Sequence, residues 1–184
     1  AALCQPYHSV LCHADAHVQT DECGAPEYAG KGIKLIPLAG PDGKLDPAPV
    51  RQAAANRRDI HSHKPGVLSI SQATEAGTVY AVEEVRALTN LARELGLRVH
   101  MDGARFANAL ATLAVSPADI TWRAGVDVLC LGGTKNGLAF GDVIVFFDRD
   151  AARDFAYRRK QAGHLLAKMR FVAAQFEALL RDDL

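Results

Sequence analysis

Two short stretches of the chain set reactive side chains beside glycine in a way that invites covalent chemistry. The first is His100-Met101-Asp102-Gly103-Ala104-Arg105, where an acidic group leaves the end of an apolar run and an arginine follows one turn later. In an open α/β sheet, ligands bind beyond the carboxyl ends of the strands, so both groups can face one crevice. The second is Gly132-Gly133-Thr134-Lys135-Asn136-Gly137, a lone amine in a glycine-rich turn between two apolar segments. Such a turn is expected to withdraw the amine partly from water, which makes it a better nucleophile. A lysine that can form a Schiff base, together with a carboxylate that pairs with a pyridinium nitrogen, is what pyridoxal-phosphate chemistry needs, because the protonated ring is the electron sink. An Asp before Gly is often only a turn residue, and a Lys in a glycine turn is often solvated. The two motifs together carry more weight than either alone.

The glycine turn does not read as a nucleotide-triphosphate loop, which needs Gly-Lys followed by Ser or Thr; here Thr134 precedes the lysine and Asn136 follows it. The Thr134 hydroxyl and the Gly132 and Gly133 amides are instead candidates to hold a cofactor phosphate. His8, His13 and His17 lie near Cys4, Cys12 and Cys23, but their spacings match no standard zinc pattern, and no metal site is expected. His17, just past a strand end, is placed to stack a flat imidazole on a planar ring; the competing reading is a surface or turn histidine.

The elements that must position these groups alternate strand-like and helix-like stretches, which predicts an α/β fold with parallel strands covered by helices. Strands are expected at Val10 to His13, Ile33 to Leu38, Val67 to Ser71, Leu97 to Met101, Val126 to Leu131 and Asp142 to Phe147. Helices are expected from Asp46-Pro47 to about Arg57, from Glu83 to Leu95 and from Ala104 to Ala114, with Asp46 as an N-cap and Gly96 as a C′ glycine. From Arg149 to Leu184 the sequence reads as one long polar helix.

At 184 residues and 19.7 kDa the chain suits one ordinary domain. Hydrophobic residues at 49% and charged residues at 23% exclude a disordered, collagenous or coiled-coil chain. Lys plus Arg equal Asp plus Glu at 21 each, so no basic excess favours nucleic acid or an anionic membrane, and neither partner is expected. The apolar run Val143 to Phe147 is far below the ~20 residues that cross a bilayer. Four irregularly spaced cysteines favour a reduced, cytoplasmic setting over a disulfide scaffold. Both ends look abrupt, which suggests a piece of a longer enzyme.

The two motifs, together with Ala16-His17, Asp21-Glu22-Cys23-Gly24-Ala25 and Ser69 to Tyr80, resemble the low-specificity L-threonine aldolase family of pyridoxal-phosphate enzymes. The resemblance spans nearly the whole chain. It implies the large cofactor-binding domain of the aspartate-aminotransferase-like superfamily (fold type I) over residues 1–150, with 151–184 leading toward a small C-terminal domain. It makes Lys135 the Schiff-base lysine, Asp102 the pyridinium partner and His17 the stacking residue. Arg105 would contact the cofactor's phenolic oxygen and the substrate carboxylate. The implied reaction is cleavage of L-threonine, L-allo-threonine and related β-hydroxy-α-amino acids to glycine and an aldehyde, in a homo-oligomer with shared sites. Where many family members carry a histidine, this chain has Thr74-Glu75-Ala76, so a base role for that histidine does not transfer; Glu75 is a conceivable substitute. The alternatives are β-elimination or transamination on the same fold, or a non-catalytic fragment.

Overall fold

A computed structural model of the chain describes residues 2–56 and 59–181. Six strands form one sheet: β1 (His8–His13), β2 (Lys34–Leu38), β3 (Lys64–Ser71), β4 (Arg98–Gly103), β5 (Val128–Gly132) and β6 (Asp142–Phe146). Their order is β2-β1-β3-β4-β5-β6. The first five run parallel, and β6 returns antiparallel to β5. The expected α/β class and mostly parallel sheet are therefore observed.

The crossovers are helical, as parallel pairing requires. They include α3 (Pro47–Ala55), α4 (Val82–Glu94) and α5 (Phe106–Leu113), with the short α1 (His17–Thr20) and α2 (Ala25–Ala29) between β1 and β2. Asp46 caps α3 as expected, its Oδ1 accepting the Ala48 N–H at 2.9 Å with Pro47 at the first helical position. The expected end of that helix at Arg57 lies outside the described residues. Gly96, at φ +72°, closes α4: its N–H donates to Arg93 O and the Leu97 N–H to Ala92 O, the paired bonds of a Schellman turn.

The two faces of the sheet differ in kind. On one, Leu11, Leu68, Ile70, Val99, Met101 and Leu129 pack with Val50 and Ala54 of α3 and Val85, Leu88 and Leu91 of α4. Each such side chain contributes roughly 1.5–3 kcal/mol by leaving water, so this face dominates the stability. Strand alternation then sends Val10, Cys12 and Val67 to the other face, where Leu35, Ile33, Cys4 and Ala16 join them in a smaller cluster. Further along that second face the residues turn polar: Ser69, His100 and Asp102 with Cys130. A purely structural sheet would carry apolar side chains there.

One expectation fails. The stretch from Arg149 is not a single helix but three pieces, α6 (Arg149–Ala152), α7 (Phe155–Gln161) and α8 (Met169–Arg181). Gly163, at φ +77°, ends α7 in the left-handed region, and the chain stays non-helical until Met169. The expected end at Leu184 lies outside the described residues. Val172 and Phe176 of α8 are buried, so the last helix is docked and not a free extension.

Candidate active site

Three segments meet beyond the carboxyl edge of the sheet. In the first, the Asp102 Oδ1 accepts the Ala104 N–H at 3.0 Å, which folds the chain back from β4 toward α5 and leaves Arg105 at the corner. Gly103 has no room for a side chain, since a Cβ would stand 2.7 Å from Leu129 Cδ1 and 2.8 Å from Cys130 O. The tight corner thus requires glycine between the carboxylate and the guanidinium.

The second segment is the turn between β5 and β6. Gly132 and Asp142 pair across the ladder, so residues 133–141 hang from a closed neck. Inside it the Gly133 N–H donates to Gly141 O at 2.9 Å, and Gly133 O accepts the Asn136 and Leu138 N–H groups at 2.9 and 3.1 Å. The Asn136 amide donates to Gly132 O and reaches Ala104 O at 3.5 Å, which ties the lysine turn to the aspartate corner. From the far side the Ala139 N–H donates to Gln175 Oε1 of α8 at 3.0 Å.

The third segment follows β3. Gln72 and Tyr80 close it with two bonds: Gln72 Nε2 donates to Tyr80 O at 2.8 Å, and the Tyr80 N–H donates to Gln72 Oε1 at 3.0 Å. The Tyr80 hydroxyl accepts the Leu45 N–H at 2.6 Å, and burial pushes its phenol up to about 12. Within this frame the Thr74 and Thr78 hydroxyls bond each other at 2.8 Å, and Thr78 Oγ1 donates to Asp42 O at 2.6 Å. The turn that presents Glu75 is therefore anchored at both ends and at its base.

Together the three segments enclose a cleft of about 340 Å³ whose lining includes Glu75, Asp102, Arg105 and Lys135. An amine, a guanidinium and two carboxylates thus share one concavity, at the edge where open α/β sheets bind ligands. A roomier hollow of about 550 Å³, beside Tyr7, Ile60 and Lys64, lies at the amino ends of the strands and contains none of these groups. Asn136 Oδ1 is buried without a partner, an acceptor beside Lys135 still open to a donor.

The beta-eliminating lyase family model matches residues 1–182. The chain belongs to that family. It is similar to the low specificity L-threonine aldolase of Pseudomonas aeruginosa, with 58% identity over 183 residues that cover 100% of this chain and 53% of the relative. It is also similar to the solved Leishmania major threonine aldolase, with a TM-score of 0.92 and 31% identity, covering 100% of this chain and 53% of that one. Aspartate aminotransferase from Thermus thermophilus, with a TM-score of 0.63 and 16% identity over 88% of this chain and 41% of that one, shares the fold. The chain spans about half the length of the relatives it matches.

In this beta-eliminating lyase chain the sequence-derived candidates fall into two groups. Asp102, Arg105 and Lys135 line the cleft. Lys135 is exposed in its turn, so the expected withdrawal of its amine from water is not seen in this chain. The reason is that the glycines on either side carry no side chains to cover it. His17 and Thr134 are not among the lining residues: Thr134 is exposed on the lysine turn, and His17 Nδ1 stands 3.3 Å from Glu22 Oε1 at the start of α1. The other N-terminal histidines do not converge on a ligand. His13 is held by backbone, with Gly40 O at 3.1 Å and the Asp15 N–H donating to its Nδ1 at 3.1 Å. His8 Nδ1 accepts the Gln5 N–H at 3.2 Å.

Sequence reasoning missed the layer beneath Asp102. His100 places Nδ1 2.9 Å from Ser69 Oγ and Nε2 3.2 Å from Cys130 Sγ. Burial holds His100 below its ordinary value, and burial pushes the Cys130 thiol up to about 11, with Asp102, Asp142 and Glu22 adding to it. Ser69, His100 and Asp102 alternate within apolar strands, and that intrusion of polar residues was the available signal.

A pH effect follows from the buried imidazole. The unfolded chain takes a proton on His100 below about 6.5, whereas the folded chain resists it, so stability present above that pH is lost as pH falls. The thermal midpoint is expected to drop between pH 7 and pH 5 less steeply in His100→Asn than in the unmodified protein. Equal slopes in the two proteins would show that His100 does not govern the loss.

Proposed function

We propose that the protein is a pyridoxal-phosphate-dependent aldehyde-lyase. Its substrates are L-threonine, L-allo-threonine and related β-hydroxy-α-amino acids, which it cleaves to glycine and an aldehyde. The observation that carries the reading is the meeting of Lys135, Asp102 and Arg105 in one cleft at the carboxyl edge of the sheet. The likeness to low specificity L-threonine aldolases supports it.

The residues fit such a cofactor by their chemistry. Lys135 offers an amine to an aldehyde, and its exposure leaves it accessible. Asp102 keeps one oxygen bonded to Ala104 N–H and still presents a carboxylate that holds a ring N–H. Arg105 makes no ion pair among the described residues, so its guanidinium is available to a substrate carboxylate. His17 would stack on the ring and the Thr134 hydroxyl would reach the phosphate, both from outside the cleft lining, while the Gly133 N–H is already taken by Gly141 O. When bound, pyridoxal phosphate supplies the electron sink at the substrate Cα. The protein's own work is to orient the amino acid, hold the ring nitrogen protonated and manage the hydroxyl proton.

With this reading go further proposals: residues 1–150 as part of the large cofactor domain, 151–184 leading toward a small domain, a homo-oligomer with shared sites, and a cytoplasmic setting. No described helix is long and apolar enough to cross a membrane. A second reading, β-elimination in the same cleft, is favoured by the family's own description. Product analysis with threonine separates the two: glycine plus an aldehyde supports the lyase reading, and 2-oxobutanoate plus ammonia supports elimination. The site itself is tested by incubating the whole protein with pyridoxal phosphate, reducing with borohydride and mapping the adduct by mass. A label confined to Lys135 is expected; scattered or absent labelling overturns the assignment.

A further inference from the structure

Glu75 is the second carboxylate that lines the cleft, exposed to solvent on its turn. Asp102 is engaged by the Ala104 N–H, whereas Glu75 has no hydrogen-bond or ion-pair partner among the described residues. Yet the turn that carries it is one of the most strongly held in the molecule. Gln72 and Tyr80 close its neck with two bonds, and Thr74, itself buried, is locked to Thr78 and through it to Asp42 O. Packing leaves no slack behind it: a Cβ at Gly43 would stand 3.0 Å from Thr74 Oγ1. A bonded turn that brings an uncommitted carboxylate to the same cleft as an amine and a guanidinium has the layout of a proton acceptor.

We infer that Glu75 takes the proton from the substrate's β-hydroxyl. The inference rests on the function proposed above and adds the base that reading lacks. Arg105 would hold the substrate carboxylate and the substrate nitrogen would take the place of the Lys135 amine, so the side chain at Cβ is the part left to meet the Glu75 turn. In the step, the hydroxyl proton moves to a Glu75 oxygen and the O–H pair becomes the second bond of the new carbonyl. The Cα–Cβ bond breaks with its pair left on Cα. A proton then returns to Cα to give glycine, and Glu75 releases its own to solvent, so charge balances over the turnover.

The test separates this role from the rest of the site. Glycine has no β-hydroxyl, so exchange of its α-hydrogen with deuterated water uses Lys135 and the cofactor but not Glu75. In Glu75→Gln, pyridoxal-phosphate binding and glycine exchange are expected to stay within about threefold of the unmodified protein while kcat for threonine cleavage falls about 10²-fold or more with little change in KM. Glu75→Asp, which keeps the charge on a shorter arm, should recover part of the loss. Cleavage at the original rate in Glu75→Gln overturns the inference and leaves the proposed function standing. A parallel fall in exchange and cleavage also overturns it, because Glu75 then only supports the cleft. An unmodified protein that neither exchanges glycine nor cleaves threonine brings down the proposed function as well.

Discussion

Lys135→Ala is expected to abolish the visible absorbance of bound pyridoxal phosphate and to lower turnover by about 10³-fold or more, since the covalent anchor for the cofactor is gone. The fold should not notice. Lys135 is exposed in a turn whose internal bonds run through Gly133, Asn136, Gly141 and Gln175, none of which involves the lysine side chain. An exposed substitution of this kind shifts stability by about 0.5 kcal/mol or less, so the melting temperature serves as the control. Turnover above about a tenth of the original rate in a fully folded variant would mean that another group does the work assigned to Lys135.

Asp102→Asn is the second large effect. Asparagine keeps an oxygen for the Ala104 N–H, so the corner between β4 and α5 survives and only the charge is lost. On the proposed role of Asp102, loss of that charge would leave the ring nitrogen without a partner to keep it protonated and would weaken the electron sink. We expect kcat to fall by about 10²- to 10³-fold while the cofactor still attaches to Lys135. Borohydride trapping on Lys135 combined with steady-state rates checks both halves. A variant that traps normally and cleaves at the original rate would show that Asp102 is only a turn residue, the competing reading that its Asp-Gly context had suggested.

The fold was largely legible because its signals are local. Strand alternation, the Asp46-Pro47 start of α3 and the Gly96 stop of α4 each act within a few residues, and the structure has them where the pattern put them. Asp102, Arg105 and Lys135 could be singled out because they lie at or just past strand ends, and topology then brings strand ends to one edge, where all three line the same cleft. The breaks near Arg153 and Gly163 were not read, because a run of Arg, Lys and Ala has good helix propensity throughout and one glycine looked tolerable within it. The Ser69–His100–Cys130 layer joins neighbouring strands across separations of 31 and 30 residues, which no window along the sequence contains, and the Gln72–Tyr80 closure, 8 residues across, leaves no periodic signal.

The antiparallel return of β6 has a consequence for how such a protein can change. The lysine turn leaves the sheet at Gly132 and re-enters at its ladder partner Asp142, so its two ends stay side by side whatever lies between. Residues of that turn beyond Asn136 can be inserted, removed or exchanged without moving the register of any strand. The aspartate corner has no such freedom, since β4 runs straight through Gly103 into α5 and each added residue would rotate the helix on the core. Variation should therefore be tolerated between Gly137 and Gly141, while Lys135, Asn136 and the Asp102–Arg105 corner stay fixed.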